Sequence, residues 1–213
     1  MSIYLLFVFF TSVFFICYIC SMKESATRNR ILEVASRLFY MQGYNSTGIN
    51  QIIDEAKIAR GSLYNHFPSK RDLLTAYIDA MEISSLAEWD NALDAIKNPK
   101  KKILAIYDIC IARQVRSNFA GCPFIKVGAE IPCEDASAFV SIANQKKAEK
   151  TYIETLLTNA YPDESQIVNK EMLASTLFLL MEGAMVTSSI EKDLQSLKDA
   201  KKIADSLLHQ SPK

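Results

Sequence analysis

The sequence predicts an all-α protein, and three observations support that fold class. First, apolar residues recur at helical spacing along most of the chain from residue 22 onward. Second, Gly, Pro and capping residues separate these stretches where helices would begin and end. Third, no run alternates apolar and polar residues with the period of two that is typical of half-buried strands. With 213 residues, 49% of them hydrophobic, the chain can form one large core or two smaller ones.

The amino-terminal part of the charged chain predicts three short helices. The inward face of the first is formed by Ile31, Ala35, Leu38 and Phe39. Gly43 ends this helix, and Thr47 is expected to N-cap the second. The inward face of the second is formed by Ile49, Ile52, Ile53 and Ala56. After a turn over residues 57–59, a third helix begins near Arg60 and is stopped by Pro68.

The remaining chain predicts longer helices. Ser69 and Asp72 have the spacing of a capping box, which opens a helix that runs, whole or in two parts, to Asn98 and Pro99. The stretch "GCPF" at residues 121–124 breaks the helical pattern. Further helices are expected over residues 100–117, 135–159, 168–190 and 193–208.

Charge is distributed unevenly between two predicted domains, residues 22–75 and 76–213. The whole chain has a formal net charge of zero. Residues 22–75 nevertheless contain eight Lys and Arg against five Asp and Glu, a formal charge of +3, which leaves −3 for the rest. A basic domain on an acidic remainder indicates a polyanion as the partner of the first domain only.

Residues 1–21 form a separate apolar segment without charges. Its length is that of a membrane anchor, and Lys23, Arg28 and Arg30 would then lie on the cytoplasmic side. Alternatively, translation starts at Met22 and the segment is not part of the native protein. It lacks the basic start and the small-residue cleavage site of a signal peptide. In both of the first two interpretations the functional part is cytoplasmic, and the five cysteines, an odd number, fit a reducing compartment.

The second and third helices have the spacing of a helix-turn-helix unit, whose second helix enters the major groove of DNA. Leu63 and Phe67 would anchor this short helix inward. The polar and small residues around them are candidates for DNA contacts: Arg60, Gly61, Ser62, Tyr64, Asn65, His66 and Lys70, with Thr47 at a phosphate. The alternative interpretation is a helical hairpin with a solvated polar face.

The stretch "YNHFPSKRDLL" at residues 64–74, preceded by "GYNSTGINQIIDEAKIARGSL", resembles the amino-terminal domain of the TetR family of bacterial transcriptional regulators. The resemblance covers about residues 25–75 closely. It implies a three-helix DNA-binding domain, a larger helical ligand-binding domain and a homodimer on a palindromic double-stranded DNA operator. It also implies that the eight candidate residues are the DNA contacts and that a small molecule of unknown identity releases the operator.

In the carboxy-terminal half, the last two helices carry broad apolar faces. Gly183, Ala184, Ser188 and Ser189 would allow close helix approach. The resemblance implies that these helices pair with those of a second subunit in a four-helix interface, while burial within one subunit is the alternative. Large apolar side chains suit either an effector pocket or a core: Trp89, Tyr107, Phe124, Tyr152, Met181 and Met185.

The segment "AGCPFIKVGAEIPCED" at residues 120–135 is similar to one in a branch of the family, some of whose members respond to electrophiles or oxidants through cysteine. Cys122, with Lys126 nearby, is therefore a candidate redox sensor with a lowered pKa. A buried packing cysteine is the alternative.

The sequence does not indicate an enzyme. It has two histidines, of which His66 belongs to the DNA-binding motif and His209 lies near the end of the chain. We find no Gly-rich phosphate loop, metal-ligand spacing or nucleophile motif, so no cofactor and no metal are expected. The function that the sequence favours is a ligand-responsive regulator, more specifically a repressor. The alternative is a membrane-anchored helical adaptor or signalling protein that uses residues 3–20.

Overall fold

The computed structural model describes residues 26–132, 135–163 and 169–209, and all regular structure in these ranges is helical. The prediction of an all-α fold is confirmed. The predicted anchor over residues 3–20 lies outside the described residues. The chain divides into two compact units, and the division falls between Tyr77 and Ile78, inside one long helix.

In its described residues, the first unit consists of three helices followed by the start of a fourth. Helix α1 is described over residues 26–42 and is followed by α2 (Ile49–Ala56), α3 (Arg60–His66) and α4 (Lys70–Leu93). The core side chains lie where the apolar spacing places them: Ile31, Ala35, Leu38, Phe39, Ile52, Ala56, Leu63, Phe67, Leu73 and Leu74 are all at most 2% exposed. Helix-turn-helix geometry is therefore present, with α2 and α3 packed against each other.

Local signals end and begin these helices as predicted, with one exception. Gly43 follows α1 with a φ of 102°, which only glycine adopts without strain. Ser69 accepts a hydrogen bond from the backbone N–H of Asp72 and donates to its carboxylate, so the capping box before α4 is confirmed. The exception is Thr47, because the N-cap of α2 is Gly48, without a side-chain cap.

The second unit contains the rest of α4 and five further helices: α5 (Pro99–Arg116), α6 (Pro123–Glu130), α7 (Ala136–Ala160), α8 (Lys170–Glu191) and α9 (Gln195–His209). Asn98, Asp135 and Asn169 cap α5, α7 and α8 with their side chains. Helix α5 packs against α7, α8 and α9, and α6 packs against α7. The core of this unit lies between these helices.

Helix α8 is unusually apolar. By length and mean hydropathy it is the one helix within the described residues that could cross a membrane. It also carries Glu182 near its centre, and Leu177, Met181 and Met185 of this helix are buried against the neighbouring helices. A core helix of a soluble domain has these properties, and an ionisable residue at the centre would be costly in a bilayer.

Candidate nucleic-acid interface

Helix α3 is anchored inward by two side chains and presents the others outward. Leu63 is fully buried and Phe67, which follows the helix, is 2% exposed. Tyr64 is 40% exposed although it is large and aromatic. Arg60, Gly61 and Asn65 are also exposed, while Ser62 and His66 are half-buried. The structure therefore brings six of the eight predicted contact residues together on one short helix.

Gly61 is the second residue of α3, and no described residue crowds this position. A Cβ atom built at this position would meet no atom within 4 Å, and the backbone φ is not positive. Glycine in a helix costs about 0.5–1 kcal/mol relative to alanine. Among the described residues, neither crowding nor backbone conformation requires a glycine at this position.

Arg60 is held in place by a residue that the sequence did not single out. Its Nη2 atom donates a hydrogen bond of 2.6 Å to Oδ1 of Asn50, at the start of α2. This bond ties the first residue of α3 to the first turn of α2. Arginine donors at fixed orientation suit bidentate contacts to guanine or to phosphate. Only the packing of the two helices reveals Asn50 as the residue that positions Arg60.

Lys70, predicted as a DNA contact beside α3, is held by two contacts within its own domain. Its Nζ atom donates to the backbone oxygen of Tyr44 at 2.7 Å and lies 4.3 Å from the centroid of the Tyr44 ring. An ammonium group has three donors, so these contacts orient the side chain without excluding a phosphate. They also fasten the loop before α2 to the start of α4.

Thr47 does not lie where the sequence placed it. Its side chain is 1% exposed, and its hydroxyl donates a hydrogen bond of 2.7 Å to the backbone oxygen of Gly43. The prediction that its hydroxyl caps α2 is wrong, because the helix begins one residue later, after Gly48. Thr47 instead closes the turn between α1 and α2. Gly48, which is exposed, occupies the helix start that had been assigned to Thr47.

One arginine of this unit is neutralised and adds little to a positive surface. Arg37 forms a salt bridge with Glu55, which also accepts a hydrogen bond from Gln51. These hydrogen bonds, first of all that from Arg37, hold the pKa of Glu55 below its usual value. Arg28 is exposed, and its guanidinium lies 5.0 Å from the centroid of the Phe67 ring, next to the end of α3.

Cys122, in the second unit, is not the exposed low-pKa thiol that a redox sensor requires. It is 4% exposed, and burial is the main cause that raises the pKa of its thiol. The Nζ atom of Lys146 lies 3.3 Å from its sulfur. The expectation of a lowered pKa was therefore wrong, because the loss of solvation outweighs the nearby ammonium.

The described residues contain no group of three or more His, Cys, Asp or Glu side chains that could hold a metal ion.

Comparison with known proteins agrees with this geometry. Residues 31–77 match the family model "Bacterial regulatory proteins, tetR family". The chain is 26% identical over 176 residues to the HTH-type transcriptional regulator YxaF of Bacillus subtilis, covering 78% of this chain and 87% of that protein. It is 38% identical over 85 residues to the regulator LmrA of the same organism, covering 39% of this chain and 45% of LmrA.

The fold of most of the chain is also found among solved structures. The crystal structure of the reduced form of NemR from E. coli has a TM-score of 0.75 and is 20% identical, covering 87% of this chain and 98% of that chain. At this identity the likeness establishes the fold alone.

Proposed function

Since the chain is a transcriptional regulator of the TetR family, we propose that it binds a palindromic operator as a homodimer, acts as a repressor and is released from DNA by a small molecule. The observation that carries the proposal is the outward face of α3. On this face Tyr64 and Asn65 are exposed. Next to them lie Gly61, where an added Cβ would contact no described atom within 4 Å, and Arg60, which is hydrogen-bonded to Asn50.

The DNA contacts of this proposal follow from the geometry of that face. Tyr64 and Asn65 can reach base edges or phosphates, and Arg60 can pair with guanine. Ser62, His66 and Lys70 complete the contact set at its edges. Gly48 replaces Thr47 at the start of α2, where the unpaired N–H groups of the first helical turn suit a phosphate. A protein that binds chromosomal DNA in this way works in the cytoplasm.

The test begins with a duplex selected by the full chain from a random library, because the operator sequence is not known. Affinity is then measured by fluorescence anisotropy for the parent, Arg60→Ala and Tyr64→Ala, with Lys198→Ala in the exposed part of α9 as the control. Each base contact is worth about 1–3 kcal/mol, so the first two variants should bind at least about fivefold more weakly. The free energy of unfolding should change by less than about 0.5 kcal/mol. Unchanged affinity in both variants would refute the contact map.

The homodimer is supported by the outer face of α8. Four large apolar side chains on this helix are exposed in the single chain: Met172 (65%), Leu179 (65%), Val186 (38%) and Ile190 (74%). Their spacing of seven, seven and four residues places them on one stripe of the helix. Gly183 lies between them, and a Cβ atom added there would meet nothing within 4 Å, so another helix can approach closely. Ala184 and Ser188, by contrast, are buried within the same chain.

Leu179→Glu should convert the protein to a monomer, because it places a charge in the middle of that stripe. Ile83→Glu is the matched control, since Ile83 is 75% exposed on α4 and lies off the stripe. Light scattering after gel filtration gives the mass of each variant. A dimeric Leu179→Glu protein would exclude this face as the interface. The two recognition helices of a dimer must lie about 34 Å apart or at a related spacing, so a monomeric variant should also lose operator affinity.

The repressor and effector parts of the proposal need a separate test. A reporter gene behind the selected operator should be less active when the protein is present. Helix α4 runs through both units, so a ligand that moves its second half can act on its first half. Such a ligand shifts the equilibrium only by its difference in affinity for the DNA-bound and released states. Higher reporter activity with the protein than without it would favour an activator.

A further inference from the structure

Arg60 stands at a position where its charge does not stabilise the helix that carries it. It is the first residue of α3, and the first turn of this helix contains no acidic side chain. A positive charge at the amino-terminal end of a helix is unfavourable, because the helix dipole already places partial positive charge there. The side chain is also exposed, so it adds little to the core.

The hydrogen bond to Asn50 orients this charge without neutralising it. Nη2 of Arg60 donates to Oδ1 of Asn50 at 2.6 Å, and among the described residues the Arg60 side chain has no carboxylate partner. Arg37, in the same unit, is bonded instead to the carboxylate of Glu55. A carboxylate offsets the charge of its arginine, whereas the neutral amide of Asn50 does not. Of these two arginines, Arg60 is therefore the one that is both held in place and still attractive to DNA.

The bond to Asn50 leaves Arg60 one complete pair of parallel donors. A guanidinium group has five N–H donors, and two of its edges present a parallel pair: one formed by Nε and Nη2, the other by the two Nη atoms. Nη2 contributes one N–H to each edge, and Asn50 occupies only one of them. The other edge is intact. Its two donors match the O6 and N7 acceptors that guanine presents in the major groove.

Asn50 can hold this geometry because it lies on a regular helix. It is the second residue of α2, which packs against α3. Arginine only donates hydrogen bonds, so the amide oxygen of Asn50 is the atom that must face it. An unrestrained arginine samples many rotamers, and ordering it on DNA opposes binding. A partner that restricts those rotamers beforehand reduces this cost, and a duplex that excludes water would strengthen the bond.

We propose that Asn50 determines sequence specificity through Arg60, by directing the free edge of the guanidinium to one guanine in each half of the operator. The inference rests on the proposed function, since it requires that α3 enters the major groove. Asn50 is a positioning residue, which acts on the base through Arg60. Its removal lowers the preference for one base pair and spares the affinity for DNA in general. A phosphate contact of Asn50 would instead affect all sequences alike.

The first experiment finds the base pair that Arg60 contacts. Each base pair in one half of the selected duplex is replaced in turn, and fluorescence anisotropy gives the affinities of the parent and Arg60→Ala. The parent should prefer one G·C pair at least about fivefold, and Arg60→Ala should lose this preference. At that position 7-deazaguanine, which lacks the N7 acceptor, should weaken binding by the parent. Equal losses at every base pair in Arg60→Ala, or unchanged parent affinity for the 7-deazaguanine duplex, would overturn the inference.

The second experiment measures the same preference in variants of Asn50. Asn50→Ala should lower it at least about threefold, and should bind a duplex of unrelated sequence within twofold of the parent. Asn50→Asp keeps an oxygen acceptor and should keep the preference, although its negative charge should weaken binding to every duplex. Gln51→Ala is the matched control, because the Gln51 amide donates to Glu55 and not to Arg60. This control should keep the preference.

Circular dichroism checks that these exposed or half-buried substitutions leave the chain folded. Three results would overturn the role of Asn50: a preference that falls less than threefold in Asn50→Ala, a preference that is lost in Asn50→Asp as well, or an equal loss in Gln51→Ala. A loss of affinity in Asn50→Ala that is the same for the selected and the unrelated duplex would also overturn it.

Failure of this inference can be told apart from failure of the proposed function. If the full chain selects no duplex and shows no salt-dependent binding to DNA, the proposed function fails and the inference fails with it. If the chain binds the selected duplex and Asn50→Ala keeps the base preference, the chain remains a DNA-binding regulator and only the role of Asn50 is lost.

Discussion

The substitution Gly61→Ala should make the protein more stable and at the same time a poorer DNA-binding protein. Gly61 is the second residue of α3, and an added Cβ atom would meet nothing within 4 Å. Alanine fits the helical backbone there and restricts the unfolded chain, which should raise the free energy of unfolding by about 0.5–1 kcal/mol. Urea unfolding followed by circular dichroism measures this gain.

The DNA-binding effect of Gly61→Ala should have the opposite sign. If α3 approaches the duplex through Gly61, the methyl group overpacks that contact, at a cost of at least about 1 kcal/mol per subunit. The proposed dimer carries two copies, so about 2 kcal/mol corresponds to roughly a 30-fold loss of affinity. Fluorescence anisotropy with the selected duplex measures it.

Gly128→Ala is the matched control for this experiment. Gly128 lies in α6, and a Cβ atom there would make an ordinary contact of 3.7 Å with Ile142. This variant should gain similar stability and keep its affinity for DNA. If Gly61→Ala is stabilised yet binds the duplex within twofold of the parent, close approach at Gly61 is refuted.

Three further predictions concern Thr47, Cys122 and Glu182, whose surroundings are known only from the structure. Thr47→Val should lower the free energy of unfolding by about 1 kcal/mol, because the hydrogen bond to Gly43 is lost, and should leave the salt dependence of DNA binding unchanged. A decrease of about one in the slope of log affinity against log salt concentration would instead show that Thr47 contacts a phosphate. Cys122 should react slowly with iodoacetamide in the folded protein and rapidly in urea, because burial raises its thiol pKa; rapid labelling of the folded protein, read by mass spectrometry, would contradict this. Because burial also raises the pKa of Glu182, the folded state keeps that proton to higher pH than the unfolded chain. Glu182→Gln should therefore match the parent in stability below pH 4.5 and exceed it increasingly as the pH rises above that value. Identical urea-unfolding profiles across pH would argue against it.

The helices of the amino-terminal unit could be predicted in detail because their signals are local. Gly43 after α1 and the pair Ser69 and Asp72 before α4 act within one helical turn, and both were confirmed. The short helix from Arg60 to His66 also has its predicted bounds. The prediction that Thr47 caps α2 was wrong because a threonine near a helix start can either cap the helix or close the preceding turn. Which of the two it does depends on whether the helix begins one residue earlier or later.

In the candidate site, too, features set by neighbouring residues could be predicted, whereas contacts between residues far apart in sequence could not. The outward position of Tyr64 and the inward position of Leu63 follow from helical spacing alone. Asn50 as the partner of Arg60 required the packing of α2 against α3, since ten residues separate the two. Lys146 as the cation beside Cys122 likewise required the packing of helices, since 24 residues separate the two.

Local patterns in the sequence were enough to predict the helical class, the helix-turn-helix unit and the polar outward face of its second helix. These depend on periodicity and on capping residues, which act over a few positions. Only the folded chain shows that Glu149 and Glu182 share Lys146 and that Cys122 is buried beside it. It also shows that no described residue lies within 4 Å of a Cβ atom placed on Gly61. The physical reason is that the charge balance and solvation of a buried group are set by side chains brought together across the core, here up to 64 residues apart in the Ser85–Glu149 hydrogen bond.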